Sequence, residues 1–235
     1  MLDLKAPNFN FTNNEILRIS KIMRSINQPN FNADKKWRSH KALYKKIRKA
    51  IDINQNGRCA YCEMILNNTS PIEVDHFVDK ATYPKWMYHK ENLVGACHYC
   101  NSSLKGDKPT VEQPKNKINN YSDFEFIIVH PYLDKVSDYF EYERNNDQDH
   151  YLFVKPNSNL KHYNEIQKAY ATIKMFDLNL AVRVNARIIA ENAIMYHCMK
   201  PRLEVLKSID IDSMNNQETK DLLKSLQEMA RIYVK

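Results

Sequence analysis

From Asn13 to Ile26 apolar residues recur every three or four positions, with Ile16, Ile19, Ile22 or Met23, and Ile26 on one face, which predicts an amphipathic helix. Thr12 or Asn13 supplies its N-cap, Glu15 lies in the first turn, and Gln28-Pro29-Asn30 ends it. A second helix is predicted over Lys35–Ala50, leading with Trp37, Leu43 or Tyr44, Ile47 and Ile51 on its packed face. The period then shortens. Ile72–Phe77 and Asn92–Val94 read as short strands, and Asn101 opens a helix carrying Ser102, Ser103, Leu104 and Lys105. Phe124–Val129, Tyr139–Tyr142 and Tyr151–Val154 are rich in aromatic and β-branched residues and read as strands, the last two flanking a turn at Asn145-Asn146-Asp147. Beyond Asn159 the pattern is helical over roughly 160–176, over Asn179–Met199 up to Pro201, and from Arg202 onward with a break at Met214–Gln217. The expected class is α+β. Its segments are a helical region with a basic helix (1–55), a cysteine-framed core (56–110), a linker and small β region (111–158), and a helical region (159–235).

Composition narrows the picture. With 235 residues and 43% hydrophobic content, the chain can bury a core without disulfides. A mean hydropathy of −0.64 and the lack of a long apolar run or charged-then-apolar leader predict a soluble, cytoplasmic protein with no membrane partner. A net charge of +7 and a pI near 9.0 point to a polyanion. The charge is concentrated: Lys35, Lys36, Arg38, Lys41, Lys45, Lys46, Arg48 and Lys49 make eight cations with no acid between them, on a predicted helix one face of which must pack. These, with Lys105, are candidates for contacting nucleic-acid phosphates, which gives affinity without reading sequence. No Walker-type glycine loop is present, so P-loop nucleotide hydrolysis is excluded.

Two CxxC pairs, Cys59/Cys62 and Cys97/Cys100, lie 34 residues apart. Each pair bends the backbone around one edge of a tetrahedron, and together they supply the four soft ligands of a structural zinc ion. The remaining cysteine, Cys198, stands alone. Gly57, Gly95 and Gly106 lie at or beside these knuckles, where turns and a helix C-terminus favour positive φ.

Within the cysteine frame, the first strand ends in Asp75-His76, and Asn101 follows the second knuckle. A strand–loop–strand–helix unit brings these ends together, so Asp75, His76 and Asn101 are expected to converge on one hard cation, magnesium or manganese, with oxygen ligands from Asp75 and Asn101. Neutral histidine accepts a water proton at physiological pH, and a divalent cation stabilises charge developing on a phosphate. Asn92 is expected to hold the His76 ring by a side-chain hydrogen bond. His98 is a rival to Asn101, while His89 and His130 are weaker candidates. A different reading of the same residues is a non-catalytic module in which the zinc ribbon and basic helix hold nucleic acid.

The runs Cys59–Glu63, Val74-Asp75-His76-Phe77, Asn92-Leu93-Val94 and Ala96–Gly106 resemble the cysteine-bearing branch of the HNH endonucleases, also called ββα-metal or His-Me finger nucleases. The resemblance implies a ββα-metal core with structural zinc, His76 as general base, Asp75 and Asn101 as ligands of a catalytic Mg2+ or Mn2+, and Asn92 as the middle Asn of the motif. It implies phosphodiester hydrolysis, with DNA as the expected substrate. A wider likeness over about residues 35–190, including His130–Asp134, Thr172-Ile173, Leu178-Asn179 and Arg187, is to the HNH effector subunits of Septu-type anti-phage defence and related retron systems. That likeness implies control by a separately encoded ABC-type ATPase. A stand-alone, restriction-like nuclease is the alternative.

Overall fold

A computed structural model describes residues 3–66, 71–112, 118–144, 152–188, 205–206, 208–211 and 216–233. The chain is α+β, with small antiparallel sheets among helices. It divides into two compact units, Met1–Val184 and Asn185–Lys235.

In the first unit, α1 (Asn13–Met23) starts at Thr12, whose hydroxyl accepts from the Glu15 backbone while the Glu15 carboxylate accepts from Thr12 N. The basic segment forms two helices, α2 (Ala33–Arg38) and α3 (Lys41–Asn54), where a single helix was expected. The Ser39 hydroxyl donates to the Lys36 carbonyl, and His40 leaves helical geometry at φ −111°, ψ 63°, so the chain turns between them. The break preserves the packed face: Trp37, Leu43, Ile47 and Ile51 are all buried.

Strands β1 (Glu73–His76) and β2 (Leu93–Ala96) pair antiparallel, with Glu73 opposite Ala96 and His76 opposite Leu93. A π-helical turn, Tyr99–Lys105, follows directly. Helix α3 packs over this hairpin through Gln55, whose amide donates to the Gly95 carbonyl and accepts from the Gly95 nitrogen. Positive φ explains Gly57 (65°) and Gly106 (49°), as expected at turns, whereas Gly95 is required for space. A Cβ there would lie 2.6 Å from Ile72 Cδ1 and 2.8 Å from Ile51 Cγ2. Gly95→Ala is therefore expected to cost about 1–3 kcal/mol by overpacking, read as a lower urea midpoint with zinc content unchanged.

Phe124–Val129, expected as a strand, forms only an isolated bridge, Val111 to Phe126. Its alternation is spent on the core: Phe124, Ile128 and Val129 are buried in irregular chain. Strands β3 (Phe140–Arg144) and β4 (Leu152–Pro156) pair antiparallel as expected; the turn at Asn145–Asp147 lies outside the described residues. A short helix, α4 (Val136–Tyr139), precedes β3, and α5 (Tyr163–Met175) and α6 (residues 181–188) follow β4. One core of buried residues runs from Phe9 to Leu178 and encloses the cysteines.

In the second unit, α7 (Gln217–Tyr233) carries Gln227, whose amide donates to the carbonyls of Leu206 and Ile209. Cys198 and the break at Met214-Asn215 lie outside the described residues. Among the described residues no helix is long and apolar enough to cross a membrane.

Candidate functional site

Cys59, Cys62, Cys97 and Cys100 are buried, and their sulfur atoms all lie within 4.8 Å of one another, with Cys62 and Cys97 at 3.9 Å. Tetrahedral zinc with bonds near 2.3 Å sets its sulfurs about 3.8 Å apart, so these four residues fit a metal such as zinc. Hydrogen bonds from Cys100, Cys59 and Cys62 hold the Cys97 thiol far below its ordinary pKa, whereas burial pushes the Cys59 thiol well up, so without a cation the cluster is not a set of four thiolates. The first knuckle is tied to β2 by Ala60 N donating to Gly95 O at 2.9 Å.

The frame passes order inward. Tyr61, between the two cysteines of the first knuckle, stacks on Phe176 at 4.1 Å and donates its hydroxyl to Asp75 Oδ2. Burial first, and the Asp75 charge second, push the Tyr61 phenol well up, which keeps it a donor. The other Asp75 oxygen accepts from Lys105 Nζ at 2.9 Å, and Lys105 also donates to the His76 carbonyl at 2.9 Å. Lys105 is 4% exposed. It is therefore an internal counter-ion of Asp75, and its ammonium is not on the surface where a phosphate contact was expected.

His76 ends β1 with its ring buried. Its Nε2 lies 3.0 Å from the Met87 carbonyl, and Trp37 of α2 packs edge-on against the ring at 4.5 Å. With Nε2 donating to Met87, Nδ1 is left as the acceptor. Burial, followed by the Lys80 charge, lowers its pKa to about 3. Asn92 does not hold this ring. Its Oδ1 accepts from Val78 N (2.6 Å) and Tyr121 Oη (2.9 Å), and its Nδ2 donates to the carbonyls of Val78 (3.0 Å) and Trp86 (3.1 Å). Asn92 thus pins the loop between the strands, and that loop carries Met87, so its hold on His76 is indirect.

Asn101 donates to Glu73 Oε2 at 2.7 Å, Ser102 donates to the same oxygen at 3.3 Å, and His98 Nδ1 lies 2.8 Å from Glu73 Oε1. Asp75 and Asn101 are thus engaged with different partners, Lys105 and Glu73. His89 lies against Glu91 at 3.1 Å. His130 is fully buried: its Nδ1 accepts from Tyr132 N and Leu133 N, its Nε2 meets the Tyr121 hydroxyl, and burial lowers its pKa to about 3. It supports Tyr121 and, through it, Asn92.

On α2 and α3, Lys35, Arg38, Lys41, Lys45 and Lys49 are exposed, Lys36 and Arg48 are half-buried, and Lys46 pairs with Glu15 at 2.7 Å. Lys80 after β1 bridges Asp34 of α2 at 2.8 Å, which together with Trp37 fixes the basic segment beside His76. Gln55, Glu73, Tyr61, Tyr121 and Arg183 are site-building residues that no motif marked. Only the position of Tyr61 inside a CxxC pair offered a signal.

No family model matches the chain. It is similar to two curated proteins named Septu protein PtuB. One, from Bacillus mycoides (strain KBAB4), is 31% identical over 104 residues, 37% of this chain and 35% of that protein. The other, from Bacillus thuringiensis, is 26% identical over 184 residues, 73% of this chain and 70% of that protein.

Proposed function

We propose that this chain is an HNH endonuclease with a zinc-closed ββα-metal core, acting on DNA as the nuclease effector of a Septu-type anti-phage defence complex under a separately encoded ABC-type ATPase. The observation that carries the catalytic part is His76 at the end of β1, neutral, oriented through Nε2 by Met87 and flanked by the basic segment of α2 and α3. Similarity to the Septu proteins supports the defence role. In the reaction the imidazole takes a proton from water, the resulting hydroxide attacks phosphorus, the bond to the leaving sugar oxygen breaks, that oxygen takes up a proton from solvent, and the imidazolium releases its own to solvent. The exposed lysines and Arg38 of α2 and α3 hold the flanking phosphates. The proposal includes Mg2+ or Mn2+ on Asp75 and Asn101; as described, these side chains are not set to share one ion until Lys105 and Glu73 release them.

That same engagement of Asp75 favours a second reading, a zinc module that binds nucleic acid without cutting it. Supercoiled plasmid separates the two. The purified chain is incubated with plasmid in magnesium or manganese, with and without its ATPase and with a chelator control. Metal-dependent nicking is expected, and retained plasmid binding with no nicking in any mixture would sink the nuclease reading. Full activity without the ATPase would leave a stand-alone enzyme.

A further inference from the structure

Arg183 on α6 is 1% exposed, and its Nη2 donates to Cys100 Sγ at 3.3 Å. Its guanidinium lies over the Tyr99 ring at 5.3 Å, and Nη1 is buried with no hydrogen-bond partner. Among the described residues no carboxylate pairs with it. A guanidinium does not lose its proton in a protein, so a buried one needs a negative neighbour. Four neutral thiols do not supply that charge, whereas a divalent ion bound by four thiolates carries a net charge of about −2. That dianion, buried between two knuckles, has the complementary need for a cation.

We propose that Arg183 is the outer counter-ion of a zinc tetrathiolate, donating to the Cys100 sulfur and strengthening zinc retention from a helix more than 80 residues downstream. This rests on reading the four cysteines as zinc ligands. The guanidinium offsets the negative charge gathered on the four sulfurs, and its hydrogen bond holds the Cys100 sulfur in place toward the metal. The site thereby extends to α6, and Arg183 acts as a positioning residue that does not itself touch the metal.

The test uses the full chain loaded with zinc, competed against a chromophoric chelator, and the same chain loaded with cobalt(II). Arg183→Met is expected to weaken zinc retention about 10- to 100-fold and to move the thiolate-to-cobalt charge-transfer band, with Arg183→Lys restoring part of both. Val184→Ala, a neighbouring buried truncation, is expected to lower the thermal midpoint while leaving affinity and band unchanged. If Arg183→Met does not fold, Arg183→Gln replaces it under the same criteria. Affinity within about twofold of the unchanged chain with an unmoved band would overturn the proposal, given effects of the expected size. Failure of the unchanged chain to hold zinc would overturn the zinc reading itself, and this proposal with it.

Discussion

Cys97→Ser is expected to unfold the cysteine-framed core, the largest effect of any single change in this chain. Cys97 lies one residue after β2 and just before the π-helical turn, so its sulfur joins the strand, the turn and the first knuckle. Structural zinc contributes on the order of 10–16 kcal/mol, comparable with or larger than the ~5–15 kcal/mol stability of a whole domain. Little else can replace it here, since the hairpin has four residues per strand and the knuckles leave the chain by tight turns. The stack of Tyr61 on Phe176, and through Tyr61 the hydrogen bond to Asp75, should go with it. Elemental analysis is expected to find about one zinc per chain, as four-cysteine sites hold, and both Cys97→Ser and strong chelation should abolish the near-ultraviolet dichroism of the buried aromatic side chains. A chelated, metal-free chain that melts as before would show that the cysteines do not clamp the fold.

The parts legible in the sequence were those with local causes. A four-cysteine cluster that fits a metal is written as spacing, and the four cysteines meet in the structure. Thr12 caps α1 because its hydroxyl, its position and Glu15 act within one turn. Long-range packing was not legible. The run from Lys35 to Ala50 keeps helical spacing on both sides of Ser39, so nothing in its periodicity marked the break, which one hydroxyl-to-carbonyl bond and the His40 backbone make. Lys105 looked like one more surface cation because composition cannot say that the π-helical turn aims it inward at Asp75. The motif position of Asn92 implies a clamp on a ring, and the side chain is a clamp on a loop, a distinction that depends on where Val78 and Trp86 return in space. Arg183 and Gln55 had no signature at all: one of two arginines in α6 and a glutamine at the end of α3 acquire roles only when the fold brings Cys100 and Gly95 to them.

His76→Gln is expected to lower plasmid cleavage by about two to four orders of magnitude, the range for loss of a general base, while zinc content and plasmid binding stay unchanged. Glutamine is the informative replacement. It fills much of the space against Trp37 and can still donate to the Met87 carbonyl, but it offers no basic nitrogen where His76 keeps Nδ1 free. His76→Ala would add a cavity beneath α2 and confound the chemical loss with a structural one. The acid side of the rate profile gives an independent check. Because burial and Lys80 hold the free-chain pKa at about 3, the ring stays neutral as pH falls through 6.5, and kcat/KM should show no His76 limb near that ordinary histidine value. A ring with so low a pKa is a weak base in the free chain. A substrate phosphate brought alongside by the exposed cations of α2 and α3 would raise its pKa and strengthen it as the base, so the His76-dependent limb belongs in kcat, at higher pH than in kcat/KM. Cleavage by His76→Gln at the unmodified rate would remove His76 from the chemistry and leave the four-cysteine module as a binder of nucleic acid.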